Sequence, residues 1–322
     1  MHQAIFSSKY GFIPLITPLF WELDKPGQNR SPARFQQEDR HVHLALSHYA
    51  DIHGRQVHYM QWGRPEAPAV IMWHGLARTS RDFDVIASAL SDQFQLICPD
   101  TPGRGLSAWS QAPDSEYCFV TYAKQAAALA DALGLRRFGW VGTSMGGALG
   151  IAAAATTLRD RISHLVLNDI APTMPAAAHA RISTYIGQPP DFATLTELEN
   201  YFRTIYQPFG VHTDAQWRHM AETSYRRLPN GRITTHYDPA IVRQFDVHPR
   251  DFEQWDKYDG LTVPTLLLRG EASDLVFPDV ASEMERRGPR AQRTEIPGCG
   301  HAPALNVEAQ IAVVRRFLAD VA

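Results

Sequence analysis

The chain has 322 residues, with 31 lysines and arginines against 34 aspartates and glutamates, for a net charge of −3. That balance, with no stripe of basic and aromatic residues, argues against a nucleic-acid partner. A hydrophobic content of 44% with 20% charged residues excludes a disordered chain and suits one sizeable core.

In chain order, residues 12–21 are apolar but too short to span a bilayer, and Pro14 and Pro18 break them. No basic cluster precedes them and no clear cleavage site follows, so a signal peptide is not expected. Residues 25–40 are polar and carry Pro26, Gly27 and Pro32, the composition of a linker, so residues 1–40 are read as an arm and linker. His41, His43, His48, His53 and His58 lack a second cluster of ligands, and no metal site is assigned to them. Residues 42–50 and 55–62 form an expected antiparallel pair turned at His53-Gly54. The apolar run 69–73 leads into His74-Gly75-Leu76, and 95–99 opens into Thr101-Pro102-Gly103-Arg104-Gly105-Leu106-Ser107. Residues 82–90 and 122–133 have helical spacing, the second ending at Gly134. A strand at 137–141 reaches Gly142-Thr143-Ser144-Met145-Gly146, followed by a helix of small residues. Strands at 164–168, 264–270 and 293–297 follow, and residues 308–318 form the closing helix. Such alternation predicts a mostly parallel sheet covered on both faces.

Between 172 and about 258 the alternation stops. Thr194 and Glu197 have capping-box spacing, and Leu195, Leu198, Phe202 and Ile205 share one helical face. A second helix is expected from Thr213 or Asp214, and Pro229-Asn230-Gly231 reads as a turn. The segment is rich in aromatic residues, most of them expected to pack and a few to line an apolar pocket.

Ser144 stands at a strand-to-helix corner with glycines two residues before and after, the context in which a serine is held in a strained turn. Asp274 and His301 follow, each just after a strand. In this order the chain resembles the α/β-hydrolase superfamily from about Asp51 to the C-terminus. Ser144-Met145-Gly146-Gly147 and a His-Gly pair without a Gly-Gly-Gly run look most like its bacterial esterase, enol-lactonase and cofactor-free haloperoxidase branch. The resemblance implies an α/β core over 41–171 and 259–322 and a helical cap over 172–258. It implies Ser144 as nucleophile, His301 as base and Asp274 as the acid, with Asp169 the competing acid because some hydrolases place it after the preceding strand. It points to the backbone N–H groups of Leu76 and Met145 as the oxyanion hole. His74 is read as a loop-orienting residue. Gly103 to Ser107 resembles a structural turn of the family, and no Walker lysine makes it a phosphate loop.

Serine at 144 departs from the aspartate of haloalkane dehalogenases and epoxide hydrolases and the cysteine of dienelactone hydrolases. The expected reaction is hydrolysis of a carboxylic ester of a small or medium apolar substrate through an acyl-enzyme, with no cofactor and no metal. Opening of an enol-lactone, cleavage of a meta-cleavage product or of a hydroxyalkanoate oligomer, and a slow-turnover ligand-binding protein remain as alternatives. Cys98, Cys118 and Cys299 make an odd number without a Cys-x-x-Cys pair, as expected of a cytoplasmic protein with free thiols. The expected partner is a small ester or lactone, with no membrane span; homo-oligomerisation is left open.

Overall fold

The computed structural model describes residues 45–320. The proposed arm and linker (1–40), His41, His43 and the start of the first expected strand lie outside the described residues.

Eight strands form one sheet. β1 (Leu46–Ile52) and β2 (Arg55–Trp62) are an antiparallel hairpin. Its turn residues His53 and Gly54 have φ of 54° and 75°, as a two-residue turn matching the strand twist demands. The remaining strands are β3 (Ala69–Trp73), β4 (Gln95–Pro99), β5 (Phe138–Thr143), β6 (Ile162–Asn168), β10 (Thr265–Gly270) and β11 (Gln292–Ile296), in the order β1-β2-β4-β3-β5-β6-β10-β11. Within this sheet the β1–β2 and β2–β4 pairings are antiparallel and the others parallel. β4 and β10 are buried along their whole length, which is why their sequences are continuous rather than alternating apolar runs.

Side chains alternate between two cores. Ile71 and Trp73 face one with α3 (Phe119–Ala132) and α4 (Met145–Ala155), whereas Val70 and Met72 face the other with α1 (Asp84–Leu90) and α11 (Glu308–Asp320). A short helix α2 (Pro113–Glu116) precedes α3, and α10 (Pro278–Met284) lies between β10 and β11. The expected helix over 82–90 is a 3-10 turn at Ser80–Phe83 followed by α1.

The segment 172–258 lies between β6 and β10. It holds helices α5 (Ala176–Ile186), α6 (Leu195–Ile205), α7 (Asp214–Thr223), α8 (Arg243–Val247) and α9 (Trp255–Asp259). Thr194 caps α6 through the Glu197 N–H, and Thr213 with Gln216 forms a complete capping box on α7. The helical segment that the sequence suggests also contains strands. β7 (Asp191–Phe192), β8 (Tyr225–Arg227) and β9 (Ile233–Thr235) make a three-stranded antiparallel sheet, in the order β7-β9-β8. Strands of two or three residues are too short to show a period of two. Leu198, Phe202, Tyr206, Trp217, Ala221 and Ile233 give the segment a small core of its own. No helix among the described residues is long and apolar enough to cross a membrane.

Candidate active site

Ser144 joins β5 to α4 with φ 51° and ψ −118°, a conformation that costs a non-glycine residue on the order of 1–3 kcal/mol. Close packing fixes it there. A Cβ on Gly146 would run into the Trp73 carbonyl oxygen, and one on Gly142 into that of Gly146, so both glycines are required by backbone approach. Trp73 and Trp140 stack with ring centroids 5.2 Å apart beneath the turn. Their indole N–H groups donate to Thr101 Oγ1 at 2.8 Å and to the Gly146 carbonyl at 3.0 Å, so neither buried donor is left unpaired.

Ser144 Oγ lies 2.7 Å from His301 Nε2. On the far side of the ring, His301 Nδ1 lies 2.8 Å from Asp169 Oδ2. Asp169, immediately after β6, is fully buried. Its Oδ1 accepts from the Gly270 N–H at 2.8 Å, and its Oδ2 accepts from the Ser273 hydroxyl at 2.7 Å. These donors satisfy a carboxylate that burial would otherwise penalise.

Asp274, expected from the sequence in this place, is therefore not the carboxylate beside His301; the competing candidate Asp169 holds it. Parallel β6 and β10 are neighbours with Asn168 opposite Leu268, so the loops after both strands end beside the same histidine. The β10 loop does reach the cluster, but through Ser273, which supports Asp169. The next residue turns from His301 toward the cavity rim: the Asp274 side chain is 49% exposed and paired with Arg181 Nη2 at 2.8 Å.

Leu76, in the loop after β3, and Ser144 line the same cavity, and Met145 is the first residue of α4. Among the described residues neither the Leu76 nor the Met145 N–H donates to another backbone group. His74 is fully buried, its Nδ1 2.7 Å from the Gly75 carbonyl and its Nε2 accepting from the Thr101 N–H at 3.0 Å. Burial, outweighing the nearby Asp100 carboxylate, lowers its pKa to about 4, so it stays neutral and ties the β3 loop to the β4 loop.

Arg104 went unrecognised in the sequence because the Gly-rich turn around it reads as purely structural. Its guanidinium is fully buried and held by neutral acceptors: the Leu76 carbonyl at 2.9 Å, the Pro102 carbonyl at 2.8 Å and the Tyr122 hydroxyl at 2.7 Å. One nitrogen lies 3.7 Å from Met145 Sδ. A buried cation thus touches both residues expected to form the oxyanion hole.

A second serine–histidine–aspartate contact occurs elsewhere: Ser47 Oγ is 2.9 Å from His58 Nε2, and His58 Nδ1 is 2.7 Å from Asp100 Oδ2. Ser47 lies inside the regular strand β1 with no helix start behind it, so the arrangement lacks the strained corner of Ser144. It uses His58 as an internal cross-link, and the described residues contain no group of three or more side chains suited to a metal.

Ser144 and His301 open into a cavity of about 470 Å³, within the usual range of small-molecule sites. Ile182, Tyr185, Tyr206, Pro208 and Phe209 line it from the 172–258 segment. Arg78, buried against Asp82, lies 4.7 Å from the Tyr206 ring centroid and donates to Ser224 at 3.1 Å. It tethers that segment to the β3 loop.

Comparison with known proteins agrees with this architecture. The family model for the alpha/beta hydrolase fold matches residues 68–306. The chain is 35% identical over 269 residues to 3-hydroxybutyrate-oligomer hydrolase of Cupriavidus necator, covering 80% of this chain and 91% of that protein. An esterase of Mycobacterium tuberculosis is 29% identical, over 71% of this chain and 74% of its own length. A solved alpha/beta hydrolase from Novosphingobium aromaticivorans superposes with a TM-score of 0.74 at 30% identity, over 86% of this chain and 99% of that one. The chain belongs to the alpha/beta hydrolase family, among relatives that are esterases and other hydrolases.

Proposed function

We propose that this protein is a serine hydrolase of carboxylic esters, with Ser144, His301 and Asp169 as its triad. The observation that carries the reading is the continuous hydrogen-bonded chain from Ser144 Oγ through His301 to Asp169, opening into a largely apolar cavity. Ser144 Oγ attacks the ester carbonyl carbon while His301 Nε2 takes its proton. The carbonyl oxygen becomes an oxyanion facing the N–H groups of Leu76 and Met145. Asp169 fixes the tautomer of His301 and stabilises the imidazolium that forms. The tetrahedral adduct collapses, the carbon–oxygen bond to the alcohol breaks, and His301 returns the proton to the leaving oxygen. Water, deprotonated by the same nitrogen, then attacks the acyl carbon; the bond to Ser144 Oγ breaks, His301 returns the proton to that oxygen, and the acid leaves. The segment 172–258 serves as a cap whose side chains shape the cavity.

A second, narrower reading is that the ester is one linkage of a hydroxyalkanoate oligomer. It is favoured by 35% identity over nearly the full length of a 3-hydroxybutyrate-oligomer hydrolase. The three cysteines are all free, and we infer a cytoplasmic location from them.

A fluorophosphonate probe and a series of para-nitrophenyl esters test the mechanism together. One label is expected, with steady turnover, and Ser144→Ala should abolish both. A burst followed by almost no turnover would favour a ligand-binding protein, and labelling that survives in Ser144→Ala would remove Ser144 as nucleophile.

A further inference from the structure

We propose that Arg181 is a specificity-determining residue that anchors a carboxylate on the substrate, with Asp274 occupying the anchor when no substrate is bound. The proposal rests on the ester-hydrolase reading and adds the ionic class of the ester: an acid bearing a free carboxylate some distance from the bond that is cut.

Two guanidinium groups line the cavity that holds Ser144 among the described residues, those of Arg78 and Arg181. They differ in availability. Arg78 is 5% exposed, and its Nε and Nη2 are taken up by Asp82, with Ser224 and the Tyr206 ring completing its surroundings. Its charge is neutralised and its geometry fixed by the fold. Arg181 projects from α5 at the rim, with a side chain 46% exposed. Its Nε and Nη2 both meet the Asp274 carboxylate, at 2.9 and 2.8 Å.

That pair is what an exchangeable anion slot requires. Both nitrogens converge on one oxygen, Asp274 Oδ2, so Asp274 shows that the guanidinium takes a carboxylate oxygen as its ligand without filling the two-oxygen fork that a better-placed carboxylate could engage. An ion pair this exposed contributes little to stability, and a second carboxylate can replace it at small cost. Both partners face the same cavity as Ser144, so an anion held at Arg181 lies within the substrate space rather than on a remote surface. The walls between are apolar, with Ile182, Ile186, Ile205 and Pro208. A short ester with an aliphatic body and one terminal carboxylate fits that distribution. Asp274 then acts as a competitor: it lowers affinity for anionic substrates by holding Arg181 and by repelling their charge.

The test uses the linear 3-hydroxybutyrate dimer, which has one ester and one free carboxylate, and its methyl ester, which has the same body without the charge. Binding is measured by calorimetry on full-length Ser144→Ala protein, and kcat/KM on the active enzyme. The free acid should bind at least about tenfold more tightly than the methyl ester, and the kcat/KM ratio should favour it similarly through KM. Arg181→Gln should bring both ratios to near one, Arg181→Lys should restore part of the preference, and Asp274→Asn should raise it. Because Arg181 is a rim residue, these variants are expected to keep their fold, which circular dichroism checks. Equal affinity for the two compounds, or a preference that survives Arg181→Gln, overturns the proposal. The hydrolase reading fails by a different result, absence of ester turnover in the wild-type enzyme, and the calorimetric comparison still decides the role of Arg181 in that case.

Discussion

Ser273 and His301 share one oxygen of Asp169: the serine hydroxyl donates to Oδ2 at 2.7 Å, and His301 Nδ1 meets the same atom at 2.8 Å. The β10 loop therefore serves the candidate triad through a supporting hydroxyl, while the adjacent Asp274 serves the cavity rim. Asp169→Asn should keep the shape but admit the wrong imidazole tautomer, which costs about 10⁴ in kcat in serine hydrolases. Asp274→Asn should cost less than about threefold on a neutral para-nitrophenyl ester, since a rim ion pair contributes little to the fold. Steady-state kinetics of the two variants decide between the carboxylates. A dead Asp274→Asn beside an active Asp169→Asn would return the acid to the β10 loop.

Ser273→Ala removes one donor from a buried carboxylate and leaves the Gly270 N–H in place. A hydrogen bond to a charged group contributes roughly 1.5–3 kcal/mol, so kcat should fall about tenfold to a hundredfold. Since the lost group touches only Asp169 and its own loop, KM for a small neutral ester should stay within about threefold. A loss confined to KM would place Ser273 with the cavity instead.

Most of the fold was legible because each long element declares itself locally. The buried strands β4 and β10 are continuous apolar runs, and Gly134 with φ 67° ends α3 where the sequence places a helix stop. The corner at Ser144 was legible because glycine is required where backbones touch. The carboxylate beside His301 was not, since Asp169 and Asp274 both follow strands that are neighbours only in three dimensions. Which of them turns inward depends on the Ser273 hydroxyl and the Gly270 N–H, and no spacing encodes that. Arg104 was missed for a similar reason. A buried guanidinium is recognisable only once its acceptors, the Leu76 and Pro102 carbonyls and the Tyr122 hydroxyl, are seen around it.

Arg104 should matter to rate more than to binding. By holding the Leu76 carbonyl it fixes the Leu76–Ala77 peptide, next to the Leu76 N–H proposed as an oxyanion donor, and its charge lies buried beside Met145. Loss of one oxyanion donor costs roughly 10²–10³ in kcat; a positioning residue behind that donor should cost about 10–100-fold in Arg104→Gln, with KM changed less than about threefold. Arg104→Lys keeps the charge but not the fork and should recover only part. If kcat and KM move together, or if Tm falls steeply in both variants, the role is structural.

Stability should fall as the solution is acidified from about pH 6.5 toward pH 4, well before the bulk of the carboxylates titrate. Burial lowers the pKa of His74 to about 4, and burial together with the charge of Arg137 does the same for His164. Both rings are neutral in the fold and ordinary in the unfolded chain, whose histidines take up protons near pH 6.5. Between those limits the unfolded state binds more protons than the native one, so stability rises with pH and is fully present only above about 6.5. Each shift corresponds to on the order of 3 kcal/mol once the pH is below both values. His164 is the better probe, because it packs against Gly139 and the Phe317 ring, away from Ser144. In urea titrations at pH 7.5, 6, 5 and 4.5, the wild-type midpoint should drop progressively. His164→Gln, which has no titrating group there, should start from a lower midpoint but lose less of it over the same interval. Equal slopes for the two proteins would mean that His164 takes up its proton as readily in the folded as in the unfolded state, and the acid sensitivity would then have to arise elsewhere.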